Sequence, residues 1–265
     1  MVIVRSNNSN RWNVVSVVAF LLVAGSLLPA FAAVSAPDLN TILDRMEQAE
    51  ASVHAQVPAY SVTRAYKFYG ADSQKPNSEV VAKVNYQPPT QKTFAIEQQQ
   101  GSGQGAKIVR KVLEHETESA KKQDGEHCFS RNNYDFEFVR TDLLEGRPAY
   151  VLNITPKHDN KDSVKGQIWV DANSYLVRRV EGDLTKSPSW WIKDVHLVLQ
   201  YGRVAGVWLQ TATLAVANVR FFGRHSMVSE ALACQPRFDL ARATPPVNRT
   251  LTAIPAAIPA GNFRP

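Results

Sequence analysis

The 265-residue sequence predicts an α+β fold that is mainly antiparallel β: a curled, open half-barrel covered by an N-terminal and a central helix. Three observations carry this. Residues 134–230 form a nearly unbroken series of short runs in which apolar residues alternate, as in Tyr150, Leu152, Ile154 and then Ile168, Val170. That is the period of a strand with one buried face. Turn-forming residues punctuate the runs at Glu145-Gly146, Thr155-Pro156 and Asp171–Ser174. Only two segments carry a helical apolar stripe, one before the strands begin and one in their midst.

Residues 1–32 read as a cleaved secretory signal. Arg5 and Arg11 precede an apolar run from Val14 to Leu28, and Ala30-Phe31-Ala32 supplies small residues for cleavage after Ala32. The run is about 15 residues, short of the ~20 that span a bilayer, which favours a signal over an uncleaved anchor. No cysteine follows it, so the product is expected to be exported without a lipid anchor. Loss of Arg5 and Arg11 removes no acid and lowers the formal charge from +6 to +4. That excess is too small and too dispersed to indicate nucleic acid, although it tolerates peripheral contact with an anionic membrane. Residues 33–242 are expected to form one domain, and the Pro/Ala-rich residues 243–265 a disordered tail.

Ser35 and Asp38 open the first helix, in which Leu39, Ile42, Leu43, Met46, Ala49 and Val53 recur at three- and four-residue intervals. It should lie across a sheet or its mouth. Strands follow at 60–69, 79–86 and 90–98. The glycine-rich residues 98–105 read as a flexible break, and 106–121 as a helix with the stripe Ile108, Val109, Val112, Leu113. The remaining strands are expected at 135–142, 147–156, 165–171, 175–184, 190–201, 207–217 and 219–229.

Chemistry-bearing motifs are few. Gly101-Ser102-Gly103-Gln104-Gly105-Ala106 has a dinucleotide-binding spacing, but such a site needs a return into a parallel strand, and every later strand reads antiparallel. The six histidines form no zinc motif, no Gly-x-Ser-x-Gly elbow exists, and no spacing assembles a catalytic triad or carboxylate pair. No catalytic residue, metal or cofactor is therefore expected. Trp190-Trp191 can place at most one ring inside. Asn153 and Asn248 head glycosylation sequons. Cys128 and Cys234 either form a disulfide, which would close a long loop and stabilise by roughly 4 to 5 kcal/mol, or remain two buried thiols.

The segments LEGRPAYVLNITPK (144–157), GQIWVDANSYLVRRVEGD (166–183), SPSWWIKDVHLVLQYGRVAGVWLQTAT (187–213) and VRFFGRHSM (219–227) resemble the bacterial outer-membrane lipoprotein-sorting family, which shares the fold of the carriers LolA and LolB. The resemblance covers roughly residues 36–232. It implies a periplasmic, non-enzymatic protein that binds lipid or lipoprotein acyl chains and meets lipoprotein-sorting components of the inner or outer membrane. The alternative it implies is an envelope sensor of the same fold that contacts a protein partner. The sequence departs from the carriers at Gln87, which stands near the position of their lid arginine. A chain-binding interior needs inward apolar side chains, and the candidates are Tyr66, Phe68, Phe94, Ile96, Leu152, Ile154, Ile168 and Val198.

Overall fold

The computed structural model describes residues 37–71, 74–121, 129–158, 163–187, 190 and 192–237. The signal and tail expectations fall outside these residues, as do Ser35, Cys128 and Trp191.

Helix α1 (Leu39–Gln56) begins where Asp38 accepts hydrogen bonds from the Thr41 amide at 3.1 Å and the Thr41 hydroxyl at 2.6 Å. This cap satisfies donors that the first turn leaves unpaired. The helix buries Ile42, Leu43 and Met46 along one stripe. Strands β1 (Ala59–Tyr69), β2 (Ser78–Gln87) and β3 (Gln91–Gly101) come next, followed by α2 (Gly103–Lys121). Seven strands complete the fold: β4 (Tyr134–Leu144), β5 (Arg147–Pro156), β6 (Val164–Asp171), β7 (Val177–Leu184), β8 (Ile192–Val204), β9 (Val207–Val219) and β10 (Gly223–Arg237).

All ten strands belong to one sheet in the order β3-β2-β1-β10-β9-β8-β7-β6-β5-β4, with antiparallel neighbours throughout. The predicted open antiparallel sheet, with two helices among the described residues, is the fold observed. Strand β10 closes onto β1, with Cys234 opposite Val62, so the last strand joins the first three to the long meander. Two-residue turns with positive φ at both positions, Glu145-Gly146 and Ala205-Gly206, link β4–β5 and β8–β9. Their backbone twist matches that of the strands they connect.

The alternation of sequence becomes alternation of faces. On one face Val62, Val80, Ala82 and Val84 pack under Val109 and Leu113 of α2. Further along the sheet Leu152, Ile154, Ile168, Val170 and Val180 are all 0–1% exposed. Some of the intervening positions are polar: Asn153 donates to Glu137 at 3.1 Å, and Gln167 donates to Asn153 at 2.9 Å. Each of the larger buried aliphatics contributes about 1.5–3 kcal/mol.

Glycines shape this layout at two close approaches. Gly166 and Gly182 face each other across β6 and β7, and a Cβ on Gly166 would lie 2.1 Å from the Glu181 carbonyl oxygen. Only glycine permits that approach. At the other, Gly105 belongs to the stretch expected as a flexible break. Helix α2 instead starts at Gly103, inside that stretch, and a Cβ on Gly105 would lie 2.1 Å from Ser78 Oγ. Gly105 lets α2 sit tightly on β2, and the Ser78 hydroxyl fixes the junction by donating to the Ser102 carbonyl at 2.9 Å.

Candidate functional site

Helix α2 covers β1–β3, whereas α1 is fixed to loops at the other end of the sheet. Arg131, just before β4, donates to the Asn40 carbonyl at 2.8 Å and pairs with Asp44 at 2.7 Å. Arg45 lies over the Tyr175 ring at 5.1 Å. A cavity of about 340 Å3 lies between the two helices and the sheet. Six aromatic side chains line it: Tyr60, Tyr86, Phe129, Tyr175, Tyr201 and Trp208. Met46, Val53 and Val57 add apolar surface from α1 and its end, and Leu176 and Leu209 from the loop before β7 and from β9.

Local structure explains why these rings converge. Tyr60 and Tyr86 are cross-strand partners on β1 and β2, with ring centroids 5.3 Å apart. Pairs of this kind lie within reach of one another on one sheet face. The register of β8 with β9 shifts at Gln200/Tyr201, and both Tyr201 and its new partner Gln210 line the cavity. Such bulges re-aim side chains. Tyr175 has φ of 57°, following the turn in which Asp171 accepts from the amides of Asn173 at 3.1 Å and Ser174 at 2.8 Å.

The strand side of the cavity carries little free charge. Burial pushes the phenols of Tyr60 and Tyr201 up to about 12, so both stay protonated at physiological pH. Lys92 reaches the cavity wall from β3, and its Nζ pairs with Glu116 of α2 at 2.6 Å. The other Glu116 oxygen lies 3.6 Å from Arg64. Burial opposes ionisation of Glu116, but Lys92 and Arg64 outweigh it and hold the carboxyl below its ordinary range. Glu50 and the exposed His54 add polar groups from α1. The wall is thus mainly aromatic and aliphatic, with charged groups contributed by Lys92 and Glu50. Among the described residues, no cluster of His, Cys, Asp and Glu could hold a metal, and no helix is long and apolar enough to cross a membrane.

The eight residues selected from sequence lie elsewhere. Tyr66 and Phe68 are buried in the core under α2, with Phe94 and Ile96 packed against it. Leu152, Ile154 and Ile168 are fully buried further along the sheet. Val198 stands opposite Leu214 in β9 and Glu181 in β7, on a partly solvated face. None of the eight lines the cavity. Tyr60, Tyr86 and Tyr201 sit in strand runs and were legible as strand residues, but their convergence was not. Phe129 lies in a loop, where no periodicity marks it, and Tyr175, expected to open a strand at 175–184, instead precedes β7, which starts at Val177. Cys234 is buried, which pushes its thiol pKa up, and it is in no disulfide among the described residues; its pairing with Cys128 lies outside them.

No family model and no curated protein matches the chain. Several solved structures are similar to it at low identity. One is a DUF1329 family protein from Desulfovibrio piger, at 14% identity and a TM-score of 0.41, covering 78% of this chain and 97% of that one. A LolA superfamily protein from Nitrosomonas europaea matches at 11% identity and 0.36, covering 78% and 97%. An outer-membrane lipoprotein-sorting protein domain from Vibrio parahaemolyticus matches at 12% and 0.39, covering 77% and 95%. With TM-scores below 0.5, these likenesses leave the function to be read from the chain's own cavity.

Proposed function

We propose that this protein is a periplasmic, non-enzymatic binder of a lipid or lipoprotein acyl chain, and that the guest lies between α1 and α2. The observation that carries this reading is the cavity of about 340 Å3 lined by six aromatic rings. Its size falls at the small end of the ~300–1,000 Å3 typical of small-molecule sites, which points to a single chain. Tyr60 and Tyr201 stay protonated and Lys92 is already paired with Glu116, so an alkyl chain would meet little free charge on the strand side of the wall, with the Glu50 carboxylate contributed from α1.

Helix α1 is suited to act as a cover. The polar ties that hold it, Arg131 to Asp44 and Glu47, involve partly exposed side chains. Exposed pairs contribute roughly 0–1 kcal/mol each, so these two ties oppose a movement of α1 only weakly, and the main resistance is the burial of Ile42, Leu43 and Met46. Delivery to lipoprotein-sorting components of the inner or outer membrane would complete a carrier's cycle.

A second reading, a sensor that contacts a protein partner, draws on the β9–β10 turn. Phe221 and Phe222 are 94% and 71% exposed there, flanked by exposed Arg220 and Arg224. Apolar tips of this kind mark contact surfaces.

Uptake of a fluorescent fatty acid by the purified protein separates the two readings. Val53→Trp, which fills the cavity from α1, is expected to weaken uptake about tenfold, on the order of 1.4 kcal/mol. Absence of uptake by the parent protein, or equal uptake by the variant, would contradict a chain bound at this site.

A further inference from the structure

A second hollow of about 750 Å3 lies where the ends of the β4–β5, β6–β7 and β8–β9 hairpins meet. It shares Leu176, Tyr201 and Trp208 with the aromatic cavity, so the two spaces adjoin across common walls. Their chemistry differs sharply. Four arginines, Arg147, Arg178, Arg179 and Arg203, line the second hollow, against the two acids Glu145 and Asp171. Building on the acyl-chain reading above, we infer that this hollow holds the anionic phosphate headgroup of the amphiphile whose chain occupies the aromatic cavity.

The four arginines divide into a fixed pair and an available pair. Arg179 pairs with Glu181 at 2.6 Å and stacks on Trp169 at 5.3 Å. Arg178 lies between Glu145 at 3.0 Å and Asp171 at 3.8 Å, with its side chain only 14% exposed. Its Nε is buried and has no hydrogen-bond partner among the described residues. An unsatisfied donor of this kind carries a desolvation cost of about 1–3 kcal/mol that an anionic acceptor could relieve.

Arg147 and Arg203 are exposed and make no ion pair among the described residues. Arg203 donates only to the Gly206 carbonyl, at 3.0 Å. Guanidinium groups present planar forks that match phosphate oxygens, so two uncommitted arginines beside a third with a free donor make a cation-rich seat for a phosphate. Arg178 and Arg179 are neutralised locally, which leaves Arg147 and Arg203 to supply the net positive charge. A single-chain phospholipid would pass its chain beside Tyr201 and Trp208 and leave its phosphate among the arginines.

The test compares two lipids with the same acyl chain, lysophosphatidylglycerol and monoacylglycerol, each displacing a fluorescent fatty acid below its micellar concentration. The phosphate lipid is expected to bind about tenfold tighter, the scale of one charge-assisted hydrogen bond. In the Arg147→Gln/Arg203→Gln variant that preference should fall to about twofold or less, with monoacylglycerol affinity unchanged. Both side chains are exposed, and an unchanged melting temperature confirms that the variant is folded.

Inorganic phosphate is the third ligand measured. Failure of millimolar phosphate to displace the phosphate lipid supports the headgroup assignment. Arginine-dependent phosphate binding without any preference between the lipids would show a free-anion site and overturn it. Equal binding of both lipids, insensitive to the variant, would also overturn it while leaving the acyl-chain reading intact. Binding of neither lipid would contradict both.

Discussion

Lys92 Nζ lies 2.6 Å from Glu116 Oε2, joining β3 to α2 at the edge of the aromatic cavity. The same carboxylate faces Arg64 of β1, whose side chain is 9% exposed and donates to the Gln210 carbonyl at 3.3 Å. One acid thus serves two cations beneath a helix that also covers the core.

Removing that acid should leave both cations short of a partner. Breaking a buried pair from one side costs more than the pair contributes, because the remaining charge stays desolvated. With Glu116 partly exposed, Glu116→Gln is expected to lower stability by about 2 kcal/mol in urea unfolding. A loss under 0.5 kcal/mol would mean that water already compensates Arg64 and Lys92.

The pH dependence has a defined sign. Glu116 titrates below its ordinary value of 4.5 in the folded state. Its contribution is therefore fully present above 4.5 and is lost as pH falls through the lower folded value. Asp171 shifts the same way: burial opposes its ionisation, but bonds from Ser174 and Asn173 and the nearby Arg178 prevail. Unfolding free energy should thus decline below about pH 4.5. The decline should be shallower, but not abolished, in Glu116→Gln.

Gly166→Ala places a methyl group against the Glu181 carbonyl and the Gly182 Cα. The obstacle is backbone, which cannot rotate aside. The expected cost is about 3 kcal/mol, at the upper end of overpacking effects. Alanine at Gly146, where nothing lies within 4 Å, meets no such obstacle, but its φ of 75° adds a cost of roughly 1–2 kcal/mol. Thermal melting of the two variants distinguishes the mechanisms, with Gly166→Ala the more damaging.

At the β9–β10 turn, Phe221 holds φ of 70° with its ring 94% exposed. Asparagine tolerates this backbone region better. Phe221→Asn should leave stability unchanged or raise it by a few tenths of a kcal/mol. A loss of 1 kcal/mol or more in urea unfolding would show that the ring packs against the protein after all.

The sheet was legible in the sequence because one-faced burial imprints itself as alternation. Val80, Ala82 and Val84, and again Leu152 and Ile154, read as inward and are buried. Strand ends were less legible. Strand β10 extends to Arg237, beyond the expected 229, and the turn before it occupies residues 220–222. The cavity was not legible, since alternation tells which face is apolar but not which part of it a helix covers. Phe94 and Ile96 share the apolar pattern of their strand yet pack into the core beside α2. The open space falls instead between the helices, where Tyr60, Tyr86 and Tyr201 meet loop residues Phe129 and Tyr175. The glycines in the first turn of α2 read as a break because sequence cannot show that Ser78 presses against Gly105.

The most direct measurement is native mass spectrometry of the protein purified gently from a bacterial periplasm, followed by lipid extraction. A co-purifying acylated species at near-stoichiometric level, lost in Val53→Trp, is the predicted result. A bare protein that also fails to take up a fluorescent fatty acid would contradict acyl-chain binding.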